Sequence, residues 1–415
     1  MKPHPTISTR ITSRWRSDFP ALANPMNGKR LAFLDSGASA QKPYSVLNAL
    51  QNAYCAHYAN IHRGLYEFSQ RQTADFEAAR EKVAQFIGAG DARSIIFTRN
   101  STEAINLAAQ SWGRQYLQAG DEVILTVMEH HANLVPWHIL KTQIGIEIKY
   151  IPLRENGELD LEVLPQMLSA RTKLLAMTHV SNVLGTVNPV REVIAQVKHS
   201  HPHVKILIDG SQAVVHSQVN MREIGADFYA FTGHKLYGPT GIGVLYAPYE
   251  ILDSMPPWQG GGDMIDRVRL DGVSFAPPPA RFEAGTPAIA EAIALGTAID
   301  YIGTIGYAKI GAHEQALRDE LLQKLEQVEG VKLYGTQPQK AAIVSFTMEG
   351  CPAADVAMIL DQSGVAVRVG HHCCQPLMQC LGVEHTIRAS IGLYNDSEDI
   401  DQLIAGLIKA RKLLI

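Results

Sequence analysis

The stretch Phe228 to Val244 reads FYAFTGHKLYGPTGIGV, and its reading decides the fold. Its first four residues are aromatic or apolar, which suits a strand buried on both faces, and Thr232, Gly233 and His234 read as its polar exit. Gly238, Pro239, Gly241 and Gly243 forbid a long helix directly afterwards and predict a tight turn. Between exit and turn stands one lysine, Lys235. Burial at such a place disfavours the ammonium form and frees the amine for Schiff-base chemistry. A lysine on a solvated loop is the ordinary alternative, because lysines are seldom buried.

Outward from this stretch, the apolar run Val204 to Ile208 ends on Asp209 in VKILIDGSQAV. Lys235 lies 26 residues on (235 − 209). That interval suits one strand end, a crossover and the next strand end, so both side chains reach the same edge of a parallel sheet. A Schiff-base lysine with an acidic partner is the pair that pyridoxal 5'-phosphate (PLP) requires, the amine for its aldehyde and the carboxylate for its ring nitrogen.

Further strands are expected at Leu31 to Leu34, Ser94 to Thr98, Glu122 to Val127, Glu147 to Ile151 and Lys173 to Thr178. A helix is expected over Asp75 to Ile87, with Phe76, Ala79, Val83, Phe86 and Ile87 on one face. Strands alternating with helices over some 200 residues predict an α/β fold, a mainly parallel sheet covered on both faces, with ligands at the carboxyl ends of the strands. Pro256 to Phe282 reads as loop with a short hairpin near Met264 to Val273. Beyond it come a helix from Ile289, long helices at Tyr307 to Val328 and Asp396 to Leu413, and strands near Ala342 to Phe346, Val365 to Val369 and Ile387 to Ile391. The expected organisation is a large domain over 34–300 and a smaller α+β domain formed by 1–33 with 301–415.

Polar groups recur at the strand ends. Ser101 and Thr102 open a helical pattern after Thr98, where free N–H groups and hydroxyls bind phosphate or merely cap the helix. His130 follows the strand ending at Val127 and suits stacking on an aromatic ring and proton transfer. Asn182 follows Thr178; Gln212 stands three residues after Asp209, and Thr232 and His234 flank the lysine within reach of a phosphate. Together these groups suit one anionic aromatic ligand.

With 415 residues, 46% hydrophobic and 19% charged, the chain has the composition of a globular protein of two or three domains. A net charge of −4 offers no electrostatic case for nucleic acid, and no apolar run approaches a membrane span, so neither is an expected partner. Five cysteines without regular spacing argue for a reducing compartment and a cytoplasmic location. Lys2, Arg10, Arg14 and Arg16 among serines and threonines resemble a transit peptide; the alternative is a solvated extension, with the fold beginning at Trp15 to Leu22.

RVGHHCCQPL, from Arg368 to Leu377, sets two histidines beside two cysteines after a strand. A metal site from His371, His372, Cys373, Cys374, Cys380 and His385 would lack the usual paired spacings, so no metal is expected. Inert buried cysteines are a second reading. The third is a nucleophilic thiol, its thiolate favoured by the histidines and Arg368, on a loop hinged at Gly370.

With these residues in hand, the chain resembles the cysteine desulfurases and selenocysteine lyases, in the Suf-type group II branch of the class V aminotransferase-like PLP enzymes. The motifs are LDSGASAQKP, NIHRG, MEHHANLVPW, THVSNVLGT, IDGSQA, FTGHKLYGPTGIG, RFEAGTP, the RVGHHC loop and IRASIGLYN. The resemblance implies a fold type I PLP-dependent transferase acting as a homodimer. Lys235 would carry PLP, Asp209 would pair with its ring nitrogen, His130 would stack on the ring and Gln212 would contact its oxygen. Ser101, Thr102, Thr232 and His234 would hold phosphate, with Thr286 from the other subunit. Arg388, Asn182, His62 and Arg368 would bind substrate. The implied reaction converts L-cysteine to L-alanine and leaves a persulfide on Cys373, to be passed to a sulfur acceptor of SufE or scaffold type for iron–sulfur cluster assembly. L-selenocysteine as substrate, an accessory desulfurase paralogue and a non-catalytic sulfur carrier are the alternatives.

Three positions depart from that pattern: Asn100 stands for a glycine, Val369 for a threonine and Cys374 for a small residue. Consecutive side chains of an extended segment point to opposite sides, so Cys374 is expected to face away if Cys373 faces the cofactor.

Overall fold

The computed structural model describes residues 10–415. Lys2 lies outside them. Seven strands form the main sheet: β1 (Ile95–Thr98), β2 (Glu122–Thr126), β3 (Glu147–Ile151), β4 (Thr172–Thr178), β5 (Lys205–Asp209), β6 (Phe228–Thr232) and β7 (Gly243–Tyr246). Their spatial order is β1-β7-β6-β5-β4-β2-β3, and only β7 runs against its neighbours. β1, β2, β6 and β7 are buried at every residue, which is why they read as unbroken apolar runs rather than as alternations. The expected strands are therefore present within a residue or two. β7 was not foreseen, because Gly241 and Gly243 made its start look like turn.

Glycine at 243 has a packing reason. A Cβ there would lie 2.4 Å from the carbonyl carbon of Asn100, so β7 can run this close to the turn before helix α1 (Ser101–Leu107) only without a side chain. Helical backbone continues beyond α1 through a π-helical segment, Ala108–Gly113, to Tyr116.

The helix expected at Asp75 begins earlier, at Glu67, and runs to Phe86. Its first turns bury Ser69 and Gln72 rather than apolar residues, so hydrophobic periodicity could not reveal them. It packs, with the unforeseen helix Tyr44–Cys55, on the helix Ile289–Ile305.

A hairpin, β8 (Ile265–Arg269) with β9 (Gly272–Phe275), stands out into solvent near its expected place. A second, antiparallel sheet has the order β10-β11-β13-β12, from β10 (Val331–Tyr334), β11 (Ile343–Met348), β12 (Arg368–Gly370) and β13 (Thr386–Ser390). The strand expected over Val365 to Val369 is divided: Val365–Ala366 pairs in parallel with Ala32–Phe33, and β12 joins the second sheet. Ala32 and Leu34 pack in one apolar cluster with Leu317, Leu321, Phe346 and Leu403. Residues 10–17 are not a solvated extension. Ile11 packs against that cluster and accepts a hydrogen bond from the Ser397 N–H, and Arg16 pairs with the buried Asp399.

The RFEAGTP segment is tied to the large sheet by a buried ion pair. Arg80 donates to both carboxylate oxygens of Glu283, at 2.7 and 2.9 Å, and to the Ile95 carbonyl, while its guanidinium lies over the Phe97 ring. Arg80 also pairs with Glu77 at 2.9 Å, so removing Glu283 leaves the guanidinium one carboxylate and costs the charged hydrogen bonds that Glu283 made, about 1.5–3 kcal/mol. We expect Glu283→Ala to lower the unfolding free energy by that order in urea titration. A loss below about 1 kcal/mol would mean that the pair does not secure this segment.

Candidate active site

β5 and β6 are adjacent and parallel, and register puts Asp209 beside Ala230 on one side and Thr178 on the other. Both strands end at the same edge of the sheet. Three residues beyond β6, after a single 3-10 turn, comes Lys235. The turn is fixed from both sides. The Gly233 and Gly238 N–H groups donate to the Ile242 and Gly233 carbonyls, and the Tyr237 hydroxyl accepts from the Leu393 N–H at 3.1 Å.

Lys235 is half-buried, and desolvation of its crowded amine pushes its pKa below the ordinary lysine value although the Asp209 carboxylate pulls upward. Asp209 is buried, and one of its oxygens accepts the Ser211 N–H at 3.0 Å. Burial, followed by the nearby Lys235 charge, lowers the His130 pKa to about 4, so its ring is neutral at pH 7. His130 Nδ1 accepts the Ala132 N–H at 3.1 Å, which leaves the proton on Nε2. Beneath it Glu129 is buried and accepts from the Thr126 hydroxyl, the Asn133 amide and the Thr178 N–H; burial raises its pKa to about 8. Gln212 turns its amide nitrogen to the Gly37 carbonyl at 2.8 Å.

At the phosphate end, Ser101 and Thr102 occupy the first turn of α1. Asn100 is extended (φ −173°), a conformation open to any residue, and its side chain caps the Glu103 N–H at 2.9 Å. Asparagine in place of glycine therefore adds a cap without backbone strain. Thr232 Oγ1 is buried without a partner. His234, its pKa lowered to about 4 by burial and then by Lys235 and Lys42, lends its carbonyl to the Lys42 ammonium at 2.8 Å. Thr286 stands with Thr98, Arg99, Glu103 and Trp258 around a cavity of about 310 Å³ that Lys235 does not line.

The cysteine loop departs from the expected extended geometry. His372 and Cys373 both have left-handed backbone, φ +52° and +57°, so the alternation rule does not apply to the two thiols. Cys373 is half-buried, with Arg368 Nη2 3.9 Å from its sulfur. Cys374 is fully buried, and its thiol donates to Asn182 Oδ1 at 3.1 Å. The expectation that both histidines favour a thiolate needs correction. His372 is buried, hydrogen-bonded to Thr386 and lowered to about 3, so it carries no charge, and the nearby cations are Arg368 and Arg388.

Lys235, Asp209, His130, His234, Arg368, Arg388 and the cysteine loop are thus gathered at one place. Asn182 is there too, but its amide is engaged by the loop, with Nδ2 donating to the His372 carbonyl at 2.8 Å. His62 is not gathered; it pairs with Glu77 beside Phe76. Sequence reasoning overlooked Asp35, which holds Arg388 at 3.0 Å, together with Lys42, Glu129, His131 and Ser211. Asp35, Lys42, Glu129 and His131 lie inside motifs already singled out, and only their lack of an independent pattern hid them.

The buried polar atoms fit a phosphorylated pyridine. Thr232 Oγ1, Ser211 Oγ and Arg388 Nε have no partner. They are distributed over the strand ends that carry Lys235 and Asp209 and over the strand of Arg388, where an anionic ligand and a substrate carboxylate would satisfy them.

The family model described as Aminotransferase class-V matches residues 32–403. The chain is 50% identical over 402 residues to "Cysteine desulfurase" of Serratia proteamaculans (strain 568), covering 97% of this chain and 98% of that one. It superposes with a TM-score of 0.90 and 38% identity on the crystal structure of the cysteine desulfurase CsdA (S-sulfonic acid) from Escherichia coli, over 97% of this chain and 98% of that chain. With the apo structure of cysteine desulfurase from Thermococcus onnurineus NA1 the TM-score is 0.91 at 37% identity, over 99% and 100%.

Burial holds four histidines neutral around this edge: His130, His179 and His234 at about 4 and His372 at about 3. Unfolded histidine titrates near 6.5, so between about pH 6.5 and 4 the unfolded chain binds more protons. Stability therefore rises with pH through that window and is complete above it, each histidine contributing a slope of up to about 1.4 kcal/mol per pH unit. His179, bonded to the Tyr229 hydroxyl at 3.0 Å, allows a test outside the proposed chemistry. Urea unfolding at pH 7 and pH 5 should give His179→Gln a pH slope smaller by about one proton; an unchanged slope would show that His179 is protonated in the folded state.

Proposed function

Since the chain belongs to the class-V aminotransferase family and, within it, to the cysteine desulfurases, we propose that it uses PLP on Lys235 to convert L-cysteine to L-alanine, with the sulfur taken onto Cys373. The observation that carries this reading is Lys235, its ammonium destabilised by burial, opposite Asp209 at adjacent strand ends, with the cysteine loop docked at the same edge.

Bound PLP supplies an aldehyde for a Schiff base and a protonated ring that withdraws electrons from the substrate. Lys235 offers an amine whose charged form burial disfavours, as a Schiff base needs, and Asp209 would supply the carboxylate that keeps a ring nitrogen protonated. His130, neutral and protonated on Nε2, would lie against the ring. Thr232 Oγ1 and the first turn of α1, with Ser101 and Thr102, would hold phosphate; His234 would back them, and Gln212 keeps one N–H for the ring oxygen. Arg388, fixed by Asp35 and the Asn182 carbonyl, presents its free Nε to the substrate carboxylate.

Cys373 then attacks the sulfur of the bound cysteine as thiolate, favoured by the Arg368 guanidinium. A sulfur–sulfur bond forms and the carbon–sulfur bond breaks. Its electron pair stays with carbon, which is protonated to give alanine, and the sulfur remains on Cys373 as persulfide. L-Selenocysteine would follow the same course with selenium as the leaving atom. The persulfide must be unloaded, to a protein acceptor of SufE or scaffold type in the Suf-type reading, so that iron–sulfur cluster assembly in the cytoplasm is the use we assign.

A second copy of the chain is part of the proposal. Tyr44, Tyr54, Tyr58, Leu65, Tyr66 and Phe68 are exposed within a span of 25 residues, Leu65 by 92%. Exposed apolar groups this close in the chain, with Tyr54 and Tyr58 in ring contact, support an association surface. It supports a homodimer in which Thr286 serves the neighbouring phosphate site.

Lys235→Ala should abolish alanine formation, and borohydride reduction of the wild type followed by peptide mapping should place the pyridoxyl group on Lys235. Its recovery on Lys42 instead would overturn the site. Cys373→Ser should retain the PLP absorbance but lose sulfide release from L-cysteine by at least about 100-fold, as expected when a nucleophile is removed. Wild-type rates in that variant would transfer the sulfur to another acceptor.

A further inference from the structure

Cys374, buried next to the half-buried Cys373, does more than fill space. Asn182, four residues past the end of β4, makes two bonds to the loop with one amide: Nδ2 donates to the His372 carbonyl at 2.8 Å, and Oδ1 accepts from the Cys374 thiol at 3.1 Å. The first bond fixes the amide's orientation, because an oxygen turned toward the His372 carbonyl would be repelled. The thiol therefore faces an acceptor and bonds only while protonated.

Burial pushes the Cys374 pKa well above the ordinary thiol value. An amide offering its N–H₂ to this sulfur would pull it down, but that group is held by His372. A sulfur kept as S–H is a poor nucleophile, so Cys374 is not suited to receive the sulfur.

Two further bonds close the loop from the other side. The His131 N–H donates to the Cys373 carbonyl at 2.7 Å, and the Gln375 N–H to His131 Nε2 at 3.3 Å.

We propose that Cys374 is a positioning residue whose thiol, through Asn182, clamps the Cys373 loop in its docked geometry. The proposal rests on Cys373 being the sulfur acceptor, but loop docking is read without turnover. In the holoenzyme at fixed pH, alkylation of Cys373 by iodoacetamide, followed by mass spectrometry of the loop peptide, reports how often the loop opens. Losing one buried hydrogen bond should make Cys374→Ala react about three- to tenfold faster than wild type. Cys374→Ser, which keeps a donor in a side chain no larger, should stay within about twofold of wild type. Packing alone predicts that serine behaves like alanine.

The proposal is overturned if serine matches alanine, if alanine is no faster than wild type, or if Cys374 itself is alkylated as fast as Cys373. A failure of the sulfur-acceptor assignment would appear separately, as turnover retained by Cys373→Ser.

Discussion

The structure depends on one electrostatic constraint, an amine and a carboxylate brought to the same edge of the sheet, near enough for each to feel the other's charge without forming an ion pair. Burial alone would drive Lys235 strongly toward its neutral form, and Asp209 alone would hold it charged. Their opposition leaves an amine whose charged form is disfavoured and a carboxylate whose charge offsets part of that effect. Two adjacent parallel strands are a direct way to produce such a pair. They deliver their C-terminal residues to one edge without the chain having to turn back, and β5 and β6 supply one member each.

Everything around that pair serves to keep it in register. The second sheet reaches across to the strand ends rather than merely packing nearby. Arg388 on β13 donates to the Asn182 carbonyl and to Asp35, and the Ser345 hydroxyl on β11 donates to the Val183 carbonyl. Leu393, just past β13, is bonded to Tyr237 in the lysine turn. These bonds are polar, directional and mostly buried, so a small shift of the second sheet leaves donors and acceptors unmatched, which is costly. The nucleophile loop lies between β12 and β13, and its position is set by the same framework.

The strands of the main sheet were legible because burial on both faces writes itself as continuous apolar sequence, and Asp209 and Lys235 were legible because strand ends are where ligands sit. Other features left no such mark. The first turns of the helix at Glu67 bury serine and glutamine, and the helix at Tyr44 exposes much of its aromatic content, so neither shows a clean apolar stripe. β7 hides behind the glycine required by Asn100. Glu129 and Asp35 act through neighbours, and a side chain's partner across the fold is not a local property of the chain.

The cysteine loop shows most sharply where local reasoning stops. Alternation of side chains is a property of extended backbone, and two adjacent non-glycine residues in the left-handed region abolish it. Each such residue costs on the order of 1–2 kcal/mol, so the conformation persists only because surrounding bonds hold it. Here those bonds come from Asn182, His131 and Thr386, all distant in sequence. The same twist separates the fates of neighbouring thiols. Cys373 is left half-open beside a guanidinium, whereas Cys374 is driven into the interior against an oxygen that requires its proton. Chemical identity thus follows from backbone handedness, and the handedness follows from contacts that no window of adjacent residues contains.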